Sequence, residues 1–287
     1  MDKYLTILAG NPRGGEQTWQ TLYDKVLTPL HSDLAILTGE KWLDSQSFLK
    51  ESKYKWILDE PDNWFHYYEN NFTGNWKEYF NLGKNTGLYN SGSIHFAIKD
   101  IVLKNYLSVL KNYDYIIYTR FDQFYVDTHP SHQGESIWIP KGEDYFGICD
   151  RHAVVPSQYV ENFFSICSYI DSKASLKSTD KLLNCEVSYK NFLEYSELIQ
   201  KVQRYERAQF TASLPDDFTN WRVPEYKIYF YGNLMIKYPD EYINSISNIK
   251  NKYGSFKSLL KLDVLYLNFI YLNLRKFLGR LKRFIIF

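Results

Sequence analysis

An excess of either charge is missing from this chain: 34 Lys and Arg stand against 33 Asp and Glu, a formal net charge of +1 over 287 residues. That balance, with no recognisable nucleic-acid motif, argues against a nucleic-acid binder. Cysteine is scarce, with Cys149, Cys167 and Cys185 the three present. An odd number without metal-like spacing argues against a disulfide framework and for a reducing compartment. The opening Met1-Asp2-Lys3-Tyr4 lacks the charged and apolar regions of a secretory leader, so a cytoplasmic location is expected. Internal repeats and low-complexity linkers are absent too. One domain over residues 1–250, followed by a distinct segment over 255–287, is the expected organisation.

An uninterrupted hydrophobic run is also lacking. The apolar stretch after Ser258 is broken by Lys261 and Asp263, which argues against a membrane-spanning helix. Arg275, Lys276, Arg280, Lys282 and Arg283 then alternate with Leu274, Phe277, Leu278, Leu281 and Phe284. That pattern suits a basic amphipathic helix over 258–287, lying on the anionic cytoplasmic face of a membrane. A helix docked on the core or on a dimer partner is the alternative, and oligomeric state is left open.

Apolar residues make up 45% of the chain, enough for a sizeable core. Aromatics reach 18%, with 26 Tyr and 19 Phe. That excess suits stacking on sugars or bases, although an AT-rich coding sequence, which also favours Lys, Asn and Ile, is the stronger explanation. Leu5 to Ala9 reads as a strand, Gly10 to Gly15 as a loop, and Thr18 to Leu27 as a helix with Trp19, Leu22, Tyr23 and Val26 on one face. Asp33 to Gly39 reads as the next strand, and a β-loop-α-β opening favours a parallel sheet. Further strands are expected at Trp56 to Leu58, Ile116 to Tyr118, Ile137 to Ile139, Tyr145 to Cys149, Val202 to Thr211 and Lys227 to Met235. Helices are expected around Trp64 to Tyr68, from Ser93 to Lys111, after Pro156, and from Asp180 to Tyr195. The spacing places Ile94, Ala97, Ile98, Ile101, Leu103, Leu107 and Leu110 on the buried face of the long helix. The expected class is α/β: one Rossmann-like domain with a mostly parallel central sheet flanked by helices, plus the C-terminal amphipathic helix.

Four pieces carrying chemistry are expected at the carboxyl edge of that sheet, where open α/β sheets bind ligands. In Gly10-Asn11-Pro12-Arg13-Gly14-Gly15, the glycines let backbone approach a ligand and Arg13 can clamp a phosphate. The loop has neither the P-loop pattern nor the dinucleotide fingerprint. Arg120 and Asp122 follow the Ile116 to Tyr118 strand; strand alternation puts both on one side, where the carboxylate can hold a divalent cation and the Arg a phosphate. The same pair can also merely cap the strand. Asp150-Arg151-His152 follows another expected strand. Asp150 can serve as base, donor ligand or metal ligand, and His152 can ligate metal or simply pack. Last is Glu186, a second candidate base, which can also be a solvated helix carboxylate.

With these residues the chain resembles the GT-A type of nucleotide-sugar glycosyltransferase, especially small enzymes that build bacterial surface polysaccharides and, in some cases, viral glycans. The resemblance spans residues 3–240 and rests on the Gly-Asn-Pro-Arg-Gly-Gly loop and on the long helix entering Tyr-Asp-Tyr-Ile-Ile-Tyr-Thr-Arg-Phe-Asp. Tyr-Phe-Gly-Ile-Cys-Asp-Arg-His and Asn-Cys-Glu add to it. It implies a single GT-A domain, a nucleotide-sugar donor bound by Gly10, Asn11, Arg13, Arg120, Asp122 and Arg151, and a glycan or glycolipid acceptor. It further implies Mn²⁺ or Mg²⁺ at an Asp-x-Asp motif, with Asp122 and His152 as the candidate ligands here. Arg120 occupies that motif's first position, so only Asp122 carries over, and Arg120 can replace part of the metal's charge. In an inverting reaction Asp150 or Glu186 would be the base, whereas a retaining reaction needs none. Trp64, Tyr67 and Trp221 are candidate platforms for the acceptor. Two rivals remain: a nucleotidyltransferase, which would need a second metal carboxylate beside Asp122, and an inactive membrane-associated carbohydrate-binding scaffold.

Overall fold

The computed structural model describes residues 2–42, 49–50, 52–177, 183–217, 219, 227–228, 234–253, 274 and 277–278. All six residues of β1 (Tyr4–Ala9) are buried, as a strand covered on both faces must be. It pairs in parallel with β2 (Asp33–Thr38) on one side and with β4 (Tyr115–Thr119) on the other. Beyond β2 lies β3 (Tyr54–Ile57), again parallel. Past β4 comes β7 (Ala153–Pro156), antiparallel to it, then β6 (Ile137–Pro140) and β8 (Val202–Tyr205), parallel to each other. The seven-stranded order is β3-β2-β1-β4-β7-β6-β8, so the sheet is mixed but mostly parallel. Because β2 and β4 flank β1, the chain leaves β1 to one side and later returns to the other. The carboxyl ends of β1 and β4 therefore meet at a topological switch point.

Helices flank this sheet: α2 (Thr28–Leu30), α3 (Trp64–Asn71), α4 (Trp76–Leu82), α5 (Ser93–Leu110), α6 (Val160–Phe164), α7 (Ile166–Asp171) and α8 (Cys185–Tyr195). Three of these starts, those of α3, α8 and α4, are capped by side chains. Asn63 accepts from the Phe65 N–H at 3.0 Å, and Asn184 from the Val187 N–H at 2.8 Å. At α4 the cap comes from a distant residue: Asp171 accepts from Gly74 N–H at 2.8 Å and from Trp76 N–H at 3.4 Å. The long helix ends where periodicity places it, but its buried face differs. Phe96, Ala97, Ile98, Val102 and Leu110 are buried together with Lys99 and Asp100, while Ile94, Ile101, Leu103 and Leu107 are half-buried. Tyr67 Oη donates to Asp100 at 2.6 Å, and Lys104 Nζ sits 2.7 Å from the same carboxylate. These partners offset the cost of burying a charge, which a count of apolar residues does not register.

The chain divides into two compact units. One comprises Met1–Asn11, Leu27–Phe121 and Pro130–Glu206, and contains the seven-stranded sheet. The other comprises Pro12–Val26, Asp122–His129 and Arg207–Phe287. The second unit holds α1 (Gly15–Leu22) and a four-stranded antiparallel sheet. Its order is β10 (Lys227–Ile228), β11 (Leu234–Ile236), β9 (Gln209–Ser213), β5 (Gln123–Tyr125). From α9 (Pro239–Tyr253), Tyr242, Ile243 and Ile246 pack on Phe124, Phe210, Ala212, Leu234 and Ile236. Thr21 of α1 accepts from the Tyr125 N–H at 3.0 Å.

Three expectations need correction. Tyr145 to Cys149 is a turn, not a strand: Tyr145 and Phe146 have φ of 39° and 71°, which no extended chain adopts, and Gly147 N–H closes on Asp144 C=O at 2.6 Å. Val202 to Thr211 is two strands in two different sheets, β8 and β9. Finally, β4 stops at Thr119, ahead of Arg120 and Asp122, so strand alternation does not set the direction of that pair. Trp221 and the 258–287 helix lie outside the described residues, save Leu274, Phe277 and Leu278, which are exposed. Among the described residues, no helix is long and apolar enough to cross a membrane.

The fully buried Ile117 of β4 and the Asp171 cap make different contributions. Ile117→Ala should lower unfolding free energy by about 2–5 kcal/mol. Asp171→Ala should lower it by about 1 kcal/mol. Urea denaturation followed by circular dichroism checks both.

Candidate active site

β7 runs antiparallel to β4 with Ala153 opposite Tyr118. Residues just before β7 therefore sit beside the carboxyl end of β4. This brings Asp150-Arg151-His152 to the edge where Arg120 leaves the sheet. His152 Nδ1 lies 3.0 Å from Thr119 Oγ1, and both residues are buried. On the neighbouring strand, Gly10 takes φ 106°, which favours glycine, and its N–H donates to Leu37 C=O at 3.0 Å. A Cβ built on Gly10 would meet nothing within 4 Å, so the space over this turn is open.

Two residues of α5 hold the Asp150 turn from beneath. His95 Nε2 donates to Asp150 C=O at 2.8 Å and stands 3.4 Å from Oδ2 of the same residue. Lys99 Nζ donates to that carbonyl at 3.1 Å. Its ammonium lies 4.0 Å from the centre of the Tyr189 ring, 5.3 Å from Tyr118 and 5.8 Å from Phe163, so the buried cation is solvated by aromatic faces.

Arg151 then ties three acids together. Its Nη2 is 2.6 Å from Glu186 Oε1, and its Nη1 is 3.2 Å from Glu143 Oε2 and 3.9 Å from Asp150 Oδ1. The Glu143, Asp150 and Glu186 side chains are 2%, 4% and 5% exposed. Glu186 is thus a buried ligand of Arg151 rather than a solvated carboxylate. It arrives in the first turn of α8, whose entry is locked by a close backbone approach. The Ile148 N–H donates to Glu186 C=O at 3.0 Å, and a Cβ on Gly147 would fall 2.0 Å from the Glu186 carbonyl carbon and oxygen. Any side chain at 147 would push α8 away.

The acids differ in proton affinity. For Asp150, burial opposes ionisation, but His95, Arg151, Lys99 and Arg120 outweigh it and bring the carboxyl down to about 2. For Glu186, burial and the Asp150 charge outweigh Arg151 and push the carboxyl up to about 7. Burial takes His95 down to about 4 and Lys99 down to about 8. One carboxylate is held ionised beside a second that exchanges its proton near neutrality, an arrangement suited to acid–base chemistry.

Arg13 and Asp122 pair within the second unit, Nη2 to Oδ2 3.4 Å, and Asp122 is buried. Among the described residues no three His, Cys, Asp or Glu side chains gather as metal ligands. Trp64 and Tyr67 pack against the core, and Tyr67 Oη is engaged by Asp100. Sequence reasoning missed His95, Lys99 and Glu143. His95 and Lys99 do carry a signal, being one helical turn apart and so on one face of α5; Glu143 carries none. No protein-family model matches the chain, and no curated protein matches it.

Arg151→Met should destabilise the fold by about 3–5 kcal/mol, because three buried carboxylates lose their shared cation. Asp150 and Glu186 should then ionise less readily, so the deficit should shrink as pH falls from about 8 to about 5. Thermal melts of the variant and wild type across that range measure it; a deficit independent of pH would remove Arg151 from this role.

Proposed function

We propose that this chain is a GT-A-type glycosyltransferase. It moves a sugar from a nucleoside diphosphate donor to a hydroxyl of a glycan or glycolipid acceptor. The observation that carries this reading is the Asp150–Arg151–Glu186 cluster, with its split acidities, beside the switch point of a mostly parallel sheet. The open turn at Gly10 and Asn11 and the half-buried Arg120 give the edge backbone and a cation suited to a diphosphate.

On this reading Glu186 removes the acceptor proton as the hydroxyl attacks the anomeric carbon, the inverting course. Arg120 stabilises the departing diphosphate, whose charge grows as the glycosidic bond breaks. Asp150 stays ionised, orients Arg151, and supports the positive charge that develops on the sugar. Arg120 carries part of the charge and Mn²⁺ or Mg²⁺ would supply the rest, so EDTA should lower turnover. Full turnover in EDTA would leave the diphosphate to Arg120 alone.

Two experiments bear on this. UDP, GDP, CMP and dTDP sugars should be screened by thermal shift; one of them should raise Tm in wild type and not in Arg120→Ala. Absence of any shift sinks the donor assignment. For Glu186, the folded carboxyl is raised from 4.5 to about 7. Its stabilising effect is therefore present below 4.5 and lost as pH rises through about 7. Glu186→Gln should melt higher than wild type in mild alkali yet lose about 10²–10⁴ in kcat. Wild-type kcat should climb as pH passes through about 7; a flat profile would transfer the base role elsewhere.

A further inference from the structure

The turn that carries Glu143 also carries the most exposed large apolar side chain described, Phe146, at 86% exposure. Beside it Tyr145 is 43% exposed. A single exposed aromatic is ordinary; the backbone beneath this one is not. Glu143, Tyr145 and Phe146 take φ of 55°, 39° and 71°, three of the five non-glycine residues described with positive φ. A bulky side chain in the left-handed region is a genuine outlier, held only where its surroundings over-determine it.

The surroundings do so here. Arg204 Nη2 donates to both oxygens of Asp144, at 2.8 and 3.0 Å, and Asp144 Oδ1 accepts from the Cys149 N–H at 3.0 Å. Asn184 Nδ2 donates to Tyr145 C=O at 3.0 Å. The next residue after Phe146 is Gly147, whose backbone abuts that of Glu186. Arg151 lies 6.0 Å from the centre of the Tyr145 ring. The exposed phenyl thus stands on a held turn, between Tyr145, whose ring lies near the Arg151 guanidinium, and Gly147, whose backbone abuts the Glu186 helix start.

We propose that Phe146 is a stacking platform for a pyranose ring of the acceptor, set to present a sugar hydroxyl to Arg151 and Glu186. The assignment rests on the glycosyltransferase reading and narrows its acceptor to a hexopyranoside. The chemistry is complementary. An aromatic face is electron-rich, whereas the axial C–H face of a pyranose is apolar and electropositive, and its hydroxyls point outwards to polar partners. Sugar sites combine such an apolar surface with a few convergent polar groups that fix orientation. A backbone already held in place loses little further freedom on binding, and that pre-organisation raises affinity. The turn also replaces Trp64 and Tyr67, which are committed to the core, as the acceptor surface.

Saturation-transfer NMR on the full chain tests this with methyl β-D-glucopyranoside, methyl β-D-galactopyranoside and methyl α-D-mannopyranoside as probes. Wild type should saturate the ring C–H protons of at least one probe. Phe146→Asn removes the ring and keeps a residue that tolerates positive φ; it should bind that probe about tenfold more weakly. Phe146→Trp should bind as well as wild type or better. Equal binding by Phe146→Asn overturns the proposal, as does a lack of transfer from wild type to every probe. An equal loss in Phe146→Trp also overturns it, because that result reports a disturbed turn. The donor thermal shift does not involve Phe146. Failure of the donor reading and failure of the platform are therefore seen in different measurements.

Discussion

The first unit depends on one guanidinium. Arg151 stands between Glu143, Asp150 and Glu186, which come from a turn, a strand approach and a helix start. Three carboxylates this close and this buried repel one another and lose their hydration, each at a cost of several kcal/mol by order of magnitude. A planar fork with several donors can satisfy them together, whereas a Lys ammonium would be a single point charge. Where the 142–149 turn meets α8, and where α8 meets the end of β4, is therefore an electrostatic matter as much as a packing one.

The cluster sits on a stiff floor. Lys99 and His95 bond the backbone of Asp150 rather than only its carboxylate, so the turn is held even when the acids change protonation. Aromatic faces around Lys99 keep its charge tolerable without water. Fixed charges in a dry setting act on a reacting group without first having to reorient, and that is the property an enzyme site needs most.

Much of the fold was legible in the sequence, and the reasons are local. Apolar runs such as Ile116 to Tyr118 and the β-loop-α-β opening announce buried parallel strands through composition and order alone. The bounds of α5 follow from periodicity. What escaped was whatever depends on partners distant in sequence. The Tyr145 to Cys149 segment has the composition of a strand, but Arg204 and Asn184, some forty to sixty residues later, fold it into a turn. Lys99 and Asp100 look like solvated residues until Asp150 and Tyr67 are placed over them. Of the candidate site, Asp150, Arg151 and Glu186 were named and expected at one edge from the sequence, but the pairing of Arg151 with both acids was not, since it joins a turn to a helix start 35 residues later. Arg13 and Asp122 were named as well, and the ion pair between them within the second unit was not foreseen.

Gly147 leaves a mark that travels beyond this molecule. Its hydrogen faces the Glu186 carbonyl where no larger group fits, so the interval between them is a rule rather than an accident. A diverged chain that keeps this architecture should show a glycine three residues before an Asp-Arg pair, and an Asn-x-Glu some thirty-odd residues further on. Overall similarity can fade below detection while such a spaced signature persists. Scanning for that interval offers a way to gather remote kin by steric necessity.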